Sequence, residues 1–190
     1  KALVEGPNFF FGHNREGNVK RLGELAAAAG VSLDVVAPVA VGGAVVSSSR
    51  VRDLIRHGDM QQANELLSAP YRIRGMVTHG AGRGSKIGYP TANLSAVDTI
   101  LPALGVYAGR ARLGDGSHAA AISLGPSPTF GDDIVRVEIH LIDYHESIYG
   151  QPMEVDFLAR LRDIRPFDSV AALVEQLRRD VDLSRKIALQ

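Results

Sequence analysis

Residues 75–94 read Gly75-Met76-Val77-Thr78-His79-Gly80-Ala81-Gly82-Arg83-Gly84-Ser85-Lys86-Ile87-Gly88-Tyr89-Pro90-Thr91-Ala92-Asn93-Leu94. Five glycines fall within the fourteen residues 75–88, so backbone amides there can approach an anion closely. The glycine and lysine spacings fit neither a Walker A loop nor a dinucleotide fingerprint. Between Glu65 and Asp98 there is no acidic residue, while Arg72, Arg74, Arg83 and Lys86 give the window a charge of +4. Positive field and bare amides are what a phosphate site requires, although a Gly/Ser loop ended by Pro90 has the same composition. Thr91 and Asn93 lie two apart, which in an extended segment turns both side chains to one face. A hydroxyl and an amide oxygen placed so are hard donors suited to Mg²⁺ that shares phosphate oxygens.

Outward from this stretch the texture is β. Tyr71–His79, Gly105–Leu113, Ser117–Leu124, Ile134–Tyr144 and Met153–Leu161 are strand-length runs parted by turns such as Gly114-Asp115-Gly116. Short strands at hairpin spacing predict an antiparallel barrel or sandwich. In Ile134–Tyr144 the alternation sets Val135, Val137, Ile139 and Leu141 on one face and Arg136, Glu138 and His140 on the other. A strand carboxylate is ordinarily a solvated charge or an ion-pair partner. Glu138 gains interest because phosphorylating an alcohol needs a group to take the hydroxyl proton. The chain closes on a helix capped by Asp168 or Ser169, with Val170, Leu173, Val174, Leu177 and Val181 as its apolar stripe.

Residues 1–69 read instead as α/β. Val19, Leu22, Leu25, Ala26 and Ala29 keep helical spacing up to Gly30, and Leu33–Ala37 predicts a buried strand ended by Pro38. Ser47-Ser48-Ser49 offers cap hydroxyls to a helix closed by Gly58, and Asp59 caps a second one. Ser68-Ala69-Pro70 marks the boundary between the two textures. The 190 residues carry 21 basic and 21 acidic side chains, so no global charge draws the chain to nucleic acid or to an anionic membrane. Without cysteine there is no disulfide or thiolate metal site. His13 reads as a surface loop residue. Alternation sets His140 and His145 on opposite faces of an extended strand, which argues against a zinc site with Asp143.

Two of these segments resemble the riboflavin kinase family. Gly88-Tyr89-Pro90-Thr91-Ala92-Asn93-Leu94 is similar to its G-F-P-T-A-N segment, and Glu138-Ile139-His140-Leu141-Ile142-Asp143 is similar to the segment bearing its catalytic glutamate. The upstream half resembles, in order, the bacterial bifunctional form fused to FMN adenylyltransferase (FAD synthetase). Gly6-Pro7-Asn8-Phe9-Phe10-Phe11-Gly12-His13 matches its flavin-side G-x-N-F-x-F-G, and Val46-Ser47-Ser48-Ser49-Arg50-Val51-Arg52 its nucleotide segment I-S-S-T-x-I-R.

The resemblance implies an α+β chain. Residues 70–190 would form a six-stranded antiparallel Greek-key barrel with a C-terminal helix. Residues 1–69 would be the C-terminal half of an α/β nucleotidylyltransferase domain. The implied reaction is phosphorylation of the riboflavin 5′-hydroxyl by MgATP in the cytoplasm, with FMN, and FAD beyond it, as products. Thr91 and Asn93 would hold Mg²⁺ and the ATP phosphates, Glu138 would be the general base, and the loop bearing Gly80, Gly82, Arg83, Gly84, Lys86 and Gly88 would close over the phosphates. Asn8, Ser48, Ser49 and Arg52 would serve the flavin and nucleotide of the second activity. Phe167, Leu173 and Leu177 could flank a flavin ring, but packing of the helix on the barrel is the simpler expectation. Riboflavin and ATP are the expected partners, with no nucleic acid and no membrane; homo-oligomerisation is left open. Tyr89 and Ser49 depart mildly from the family pattern. The family's glycine-rich, histidine-containing adenylyltransferase motif would lie upstream of Lys1, so FMN adenylylation by these residues alone is expected to be incomplete.

Overall fold

The computed structural model describes residues 1–80, 82–127, 129 and 132–189, without the side chains at 127 and 132–134. Residue 81 of the glycine-rich loop thus lies outside the described residues. Two compact units divide at Ser47/Ser48.

In the first unit, β1 (Ala2–Glu5) pairs in parallel with β4 (Ser32–Val35). Between them come the short hairpin β2 (Phe10–Phe11)/β3 (Gly17–Asn18) and helix α1 (Val19–Ala28). Asn18 caps α1 by accepting from the Arg21 amide at 3.1 Å, and Gly30 ends it at φ +67°. A second small hairpin, β5 (Ala40–Val41)/β6 (Ala44–Val45), follows. The buried strand expected at Leu33–Ala37 is corrected: Val35 and Val36 are 49% and 55% exposed. Among the described residues β4 has β1 as its one strand partner, so its apolar run lacks a second neighbour to cover it.

The second unit opens with α2 (Ser48–His57), which starts in the serine run and stops at Gly58 (φ +77°). Asp59 then caps α3 (Met60–Glu65) by accepting from the Gln62 amide. Ile55, Met60 and Ala63 of this helical pair belong to the same apolar cluster as the barrel residues Ile73, Tyr107, Ile122, Ile139 and Phe157.

The barrel strands are β7 (Tyr71–Thr78), β8 (Ala92–Ser95), β9 (Gly105–Leu113), β10 (Gly116–Ser127), β11 (Asp132–Leu141) and β12 (Pro152–Arg162). They close in the order β10-β11-β8-β7-β12-β9, every pairing antiparallel. β12 returns beside β9 after two hairpins, which gives the Greek-key order β12-β9-β10-β11. β8 is the strand that the apolar runs do not reveal, because it is four residues long and two of them, Asn93 and Ser95, are polar. One-turn helix α4 (Arg83–Lys86) sits in the glycine-rich loop, and α5 (Val170–Ala188), capped by Ser169, packs on β9, β10 and β12.

Candidate functional site

The alternation of β11 aims its polar face at a cleft. Val137, Ile139 and Leu141 are buried in the core, while Arg136, Glu138 and His140 line an open cavity of about 1050 Å³, mouth included. From the glycine-rich side come Arg83, Gly84, Tyr89 and Thr91; from the chain end come Phe167, Leu173 and Leu177. These last three were expected mainly to pack helix on barrel. The structure gives them an exposed part as the apolar wall of this cavity, while α5 still rests on the strands. A second cavity, about 600 Å³, is bordered by Pro90, Thr91, Ala92, Tyr144, His145 and Tyr149. Thr91 lines both.

β8 sets Asn93 opposite Glu138 on one side and opposite Thr78 on the other. Asn93 is buried, and a Cβ on Gly80 would fall onto its amide, so only glycine lets the loop lie there. A Cβ on Gly84 would strike the Tyr89 carbonyl and come within 3.7 Å of Thr91 Oγ1. The bare backbone of the loop therefore rests directly on the Thr91-Ala92-Asn93 segment. Gly82, Lys86 and Gly88 are exposed and line neither cavity. Ser48 and Ser49 open α2 with Arg52 one turn on, all three exposed and outside both cavities; Asn8 is exposed in a turn of the first unit.

The positive window is corrected by its partners. Arg72 reaches Asp156 through Nε and Nη2, at 2.5 and 3.1 Å, and Glu154 at 2.7 Å. Asp156 is 1% exposed, and its side chain is the main cause that raises the Arg72 pKa above its ordinary value. That charge is spent on joining β7 to β12. Of the four basic residues in the window, Arg83 alone lines the first cavity.

His140 gained no role from sequence. Its Nδ1 lies 2.8 Å from the Pro90 carbonyl, and its ring meets Tyr89 edge-on at 5.5 Å. Burial holds the imidazole below its ordinary pKa, against the opposing effects of the Pro90 bond and the Asp143 charge. The strand-alternation argument that parted His140 from His145 does not apply, since β11 ends at Leu141; His145 borders the second cavity.

No group of three His, Cys, Asp or Glu among the described residues could hold a metal. Thr91 and Asn93 supply two neutral oxygens. That set fits a hard divalent cation held jointly with phosphate oxygens and water, rather than one caged by protein alone.

Residues 67–188 match the riboflavin kinase family, and residues 1–50 match the FAD synthetase family. The bifunctional riboflavin kinase/FMN adenylyltransferase of Listeria monocytogenes is 33% identical over 180 residues, 94% of this chain and 57% of its own. That of Haemophilus influenzae is 34% identical over 186 residues, 97% and 60%. A Streptococcus pneumoniae crystal structure described as a macrolide-efflux protein is similar at TM-score 0.85 and 35% identity, covering 97% of this chain and 60% of that one. Among the described residues no helix of this chain is long and apolar enough to cross a membrane. The chain spans about 60% of the length of these curated relatives. With a closed Greek-key barrel, a C-terminal helix and a family match through most of both, the chain belongs to the riboflavin kinase family.

Proposed function

We propose that this chain is a riboflavin kinase of the cytoplasm, transferring the γ-phosphoryl group of ATP to the ribityl 5′-hydroxyl of riboflavin to give FMN and ADP. The observation that carries the reading is that Thr91 lines both cavities. A phosphotransferase needs two substrates to meet at one point, and in this reading they meet at the residue the two cavities share.

In this reading the cavity walled by Phe167, Leu173 and Leu177 takes the apolar ring system, with the 5′-hydroxyl directed at Glu138. The second cavity takes the nucleotide. The Glu138 carboxylate accepts the hydroxyl proton as the oxygen bonds to the γ-phosphorus, and the bond to the β–γ bridging oxygen breaks, releasing ADP. Thr91 and Asn93 hold Mg²⁺ with the phosphates; the ion, when bound, offsets charge on the transferring group. Arg83 adds a second positive charge from the loop, whose bare backbone at Gly80 and Gly84 lies against Asn93 and Thr91. Such a reaction is mostly positioning and electrostatics, which suits a cavity where Glu138 stands among Arg83, Arg136, Arg162 and Arg165.

Residues 70–190 are the kinase domain in this proposal, and 1–69 belong to a nucleotidylyltransferase domain, with Asn8, Ser48, Ser49 and Arg52 as ligand residues of that domain. The test is Glu138→Ala. Turnover should fall about 10²–10⁴-fold, the usual worth of a general base, while riboflavin binding persists. Turnover near wild type would remove Glu138 from the role.

A further inference from the structure

The segment that carries Thr91 has little backbone support of its own. β8 begins one residue later, at Ala92, and the β8–β11 ladder has two pairs, Asn93 with Glu138 and Ala92 with Ile139. Continuing that antiparallel register would place Thr91 opposite His140 and Pro90 opposite Leu141. The ladder cannot run on through Pro90, which has no N–H to give. Upstream, the Tyr89 amide donates to the Gly84 carbonyl at 2.9 Å. What remains to be held is the Pro90 carbonyl, and His140 holds it.

We propose that His140 is a positioning residue, its Nδ1–H donating to the Pro90 carbonyl so that the Thr91 hydroxyl is set at the junction of the two cavities. A carbonyl only accepts, so the proton sits on Nδ1 and the other ring nitrogen is the acceptor of the neutral imidazole. The edge of Tyr89 against the ring limits its rotation. His140 stands two residues from Glu138 on the same face of β11. One rigid strand therefore carries the base directly and locates Thr91 through a side chain. A shift of about 1 Å at a positioning contact can cost on the order of 10²-fold in rate, so this bond need not touch substrate to matter.

The inference rests on the assignment of Thr91 to the nucleotide phosphates. Its test is therefore read by binding as well as by turnover. His140→Asn places an amide N–H near the position of Nδ1–H, whereas His140→Gln places it near the far nitrogen, and His140→Ala removes it. Affinity for MgADP by calorimetry and kcat/KM for MgATP should fall roughly 10–100-fold in the Ala and Gln variants. A circular-dichroism spectrum and a melting temperature close to those of the wild type show that the variants fold. The Asn variant should recover most of the loss. MgADP affinity unchanged in the Ala and Gln variants, or an Asn variant as impaired as Ala, would each overturn the proposal. A wild-type protein that forms no FMN would instead count against the kinase reading, while MgADP binding still decides the role of His140.

Discussion

Tyr107 shows how a single side chain fastens this fold. It is fully buried, its hydroxyl donates to the Ala103 carbonyl, and a Cβ on Gly58 would lie 2.6 Å from that oxygen. Burial, the largest cause, raises its pKa above the ordinary value near 10, with Arg160 opposing. The folded state thus resists losing this proton. Its contribution to stability is whole below pH 10 and is lost as pH rises from there through the raised value. Tyr107→Phe should flatten that alkaline fall in urea-midpoint profiles. It should also cost about 1 kcal/mol at neutral pH, the usual net worth of one hydrogen bond; an unchanged alkaline limb would remove Tyr107 as its source. The candidate site residues were legible where the pattern is local. Glu138, Thr91 and Asn93 stand in a short motif or a clean alternation. The bond from His140 to Pro90 spans 50 positions, and the pairing of Arg72 with Asp156 spans 84, so neither leaves a trace in local pattern.

At the scale of elements, α5 is held to the barrel wall by a polar clasp as well as by its apolar stripe. Asp180, 4% exposed, accepts from Nε and Nη2 of Arg162 at 3.0 and 2.8 Å and from the Gln176 amide at 2.9 Å. Phe167 lies beneath two guanidinium groups, those of Arg162 and Arg165, at 5.5 and 5.2 Å from its ring centre. The clasp thus joins β12, the cavity wall and the helix. Asp180→Ala leaves the Arg162 charge largely buried without its partner. Destabilisation of about 3–5 kcal/mol is expected from chemical denaturation, a cost typical of breaking a buried pair from one side. A loss under about 1 kcal/mol would show that the helix is held by apolar packing alone. The helices themselves were readable from apolar spacing, from the glycines that end α1 and α2, and from caps at Asp59 and at Asp168 or Ser169, whereas the Asn18 cap of α1 emerged only in the structure. β8 was not, because four residues with two polar side chains carry too little periodicity. The strand at Leu33–Ala37 was read as buried because β-branched residues say nothing about how many neighbours a strand has.

At the scale of the molecule, a net charge of zero conceals local arrangements with opposite consequences. Arg72 is paired across the barrel, and Arg83 lines the first cavity together with Thr91. The barrel and its helix bring a general-base candidate, the Thr91 side chain and an apolar wall to one cleft, and Thr91 also lines a second. The family was legible from two short motifs, but the cleft was not, since its wall comes from the last 25 or so residues and its base from a strand in the middle. The most direct test is to incubate the protein with riboflavin, ATP and Mg²⁺ and to quantify FMN and ADP by chromatography. The account predicts FMN and ADP in equal amounts, and neither when the divalent cation is chelated. Riboflavin bound but never phosphorylated would contradict it and mark the cleft as a binding module without catalysis.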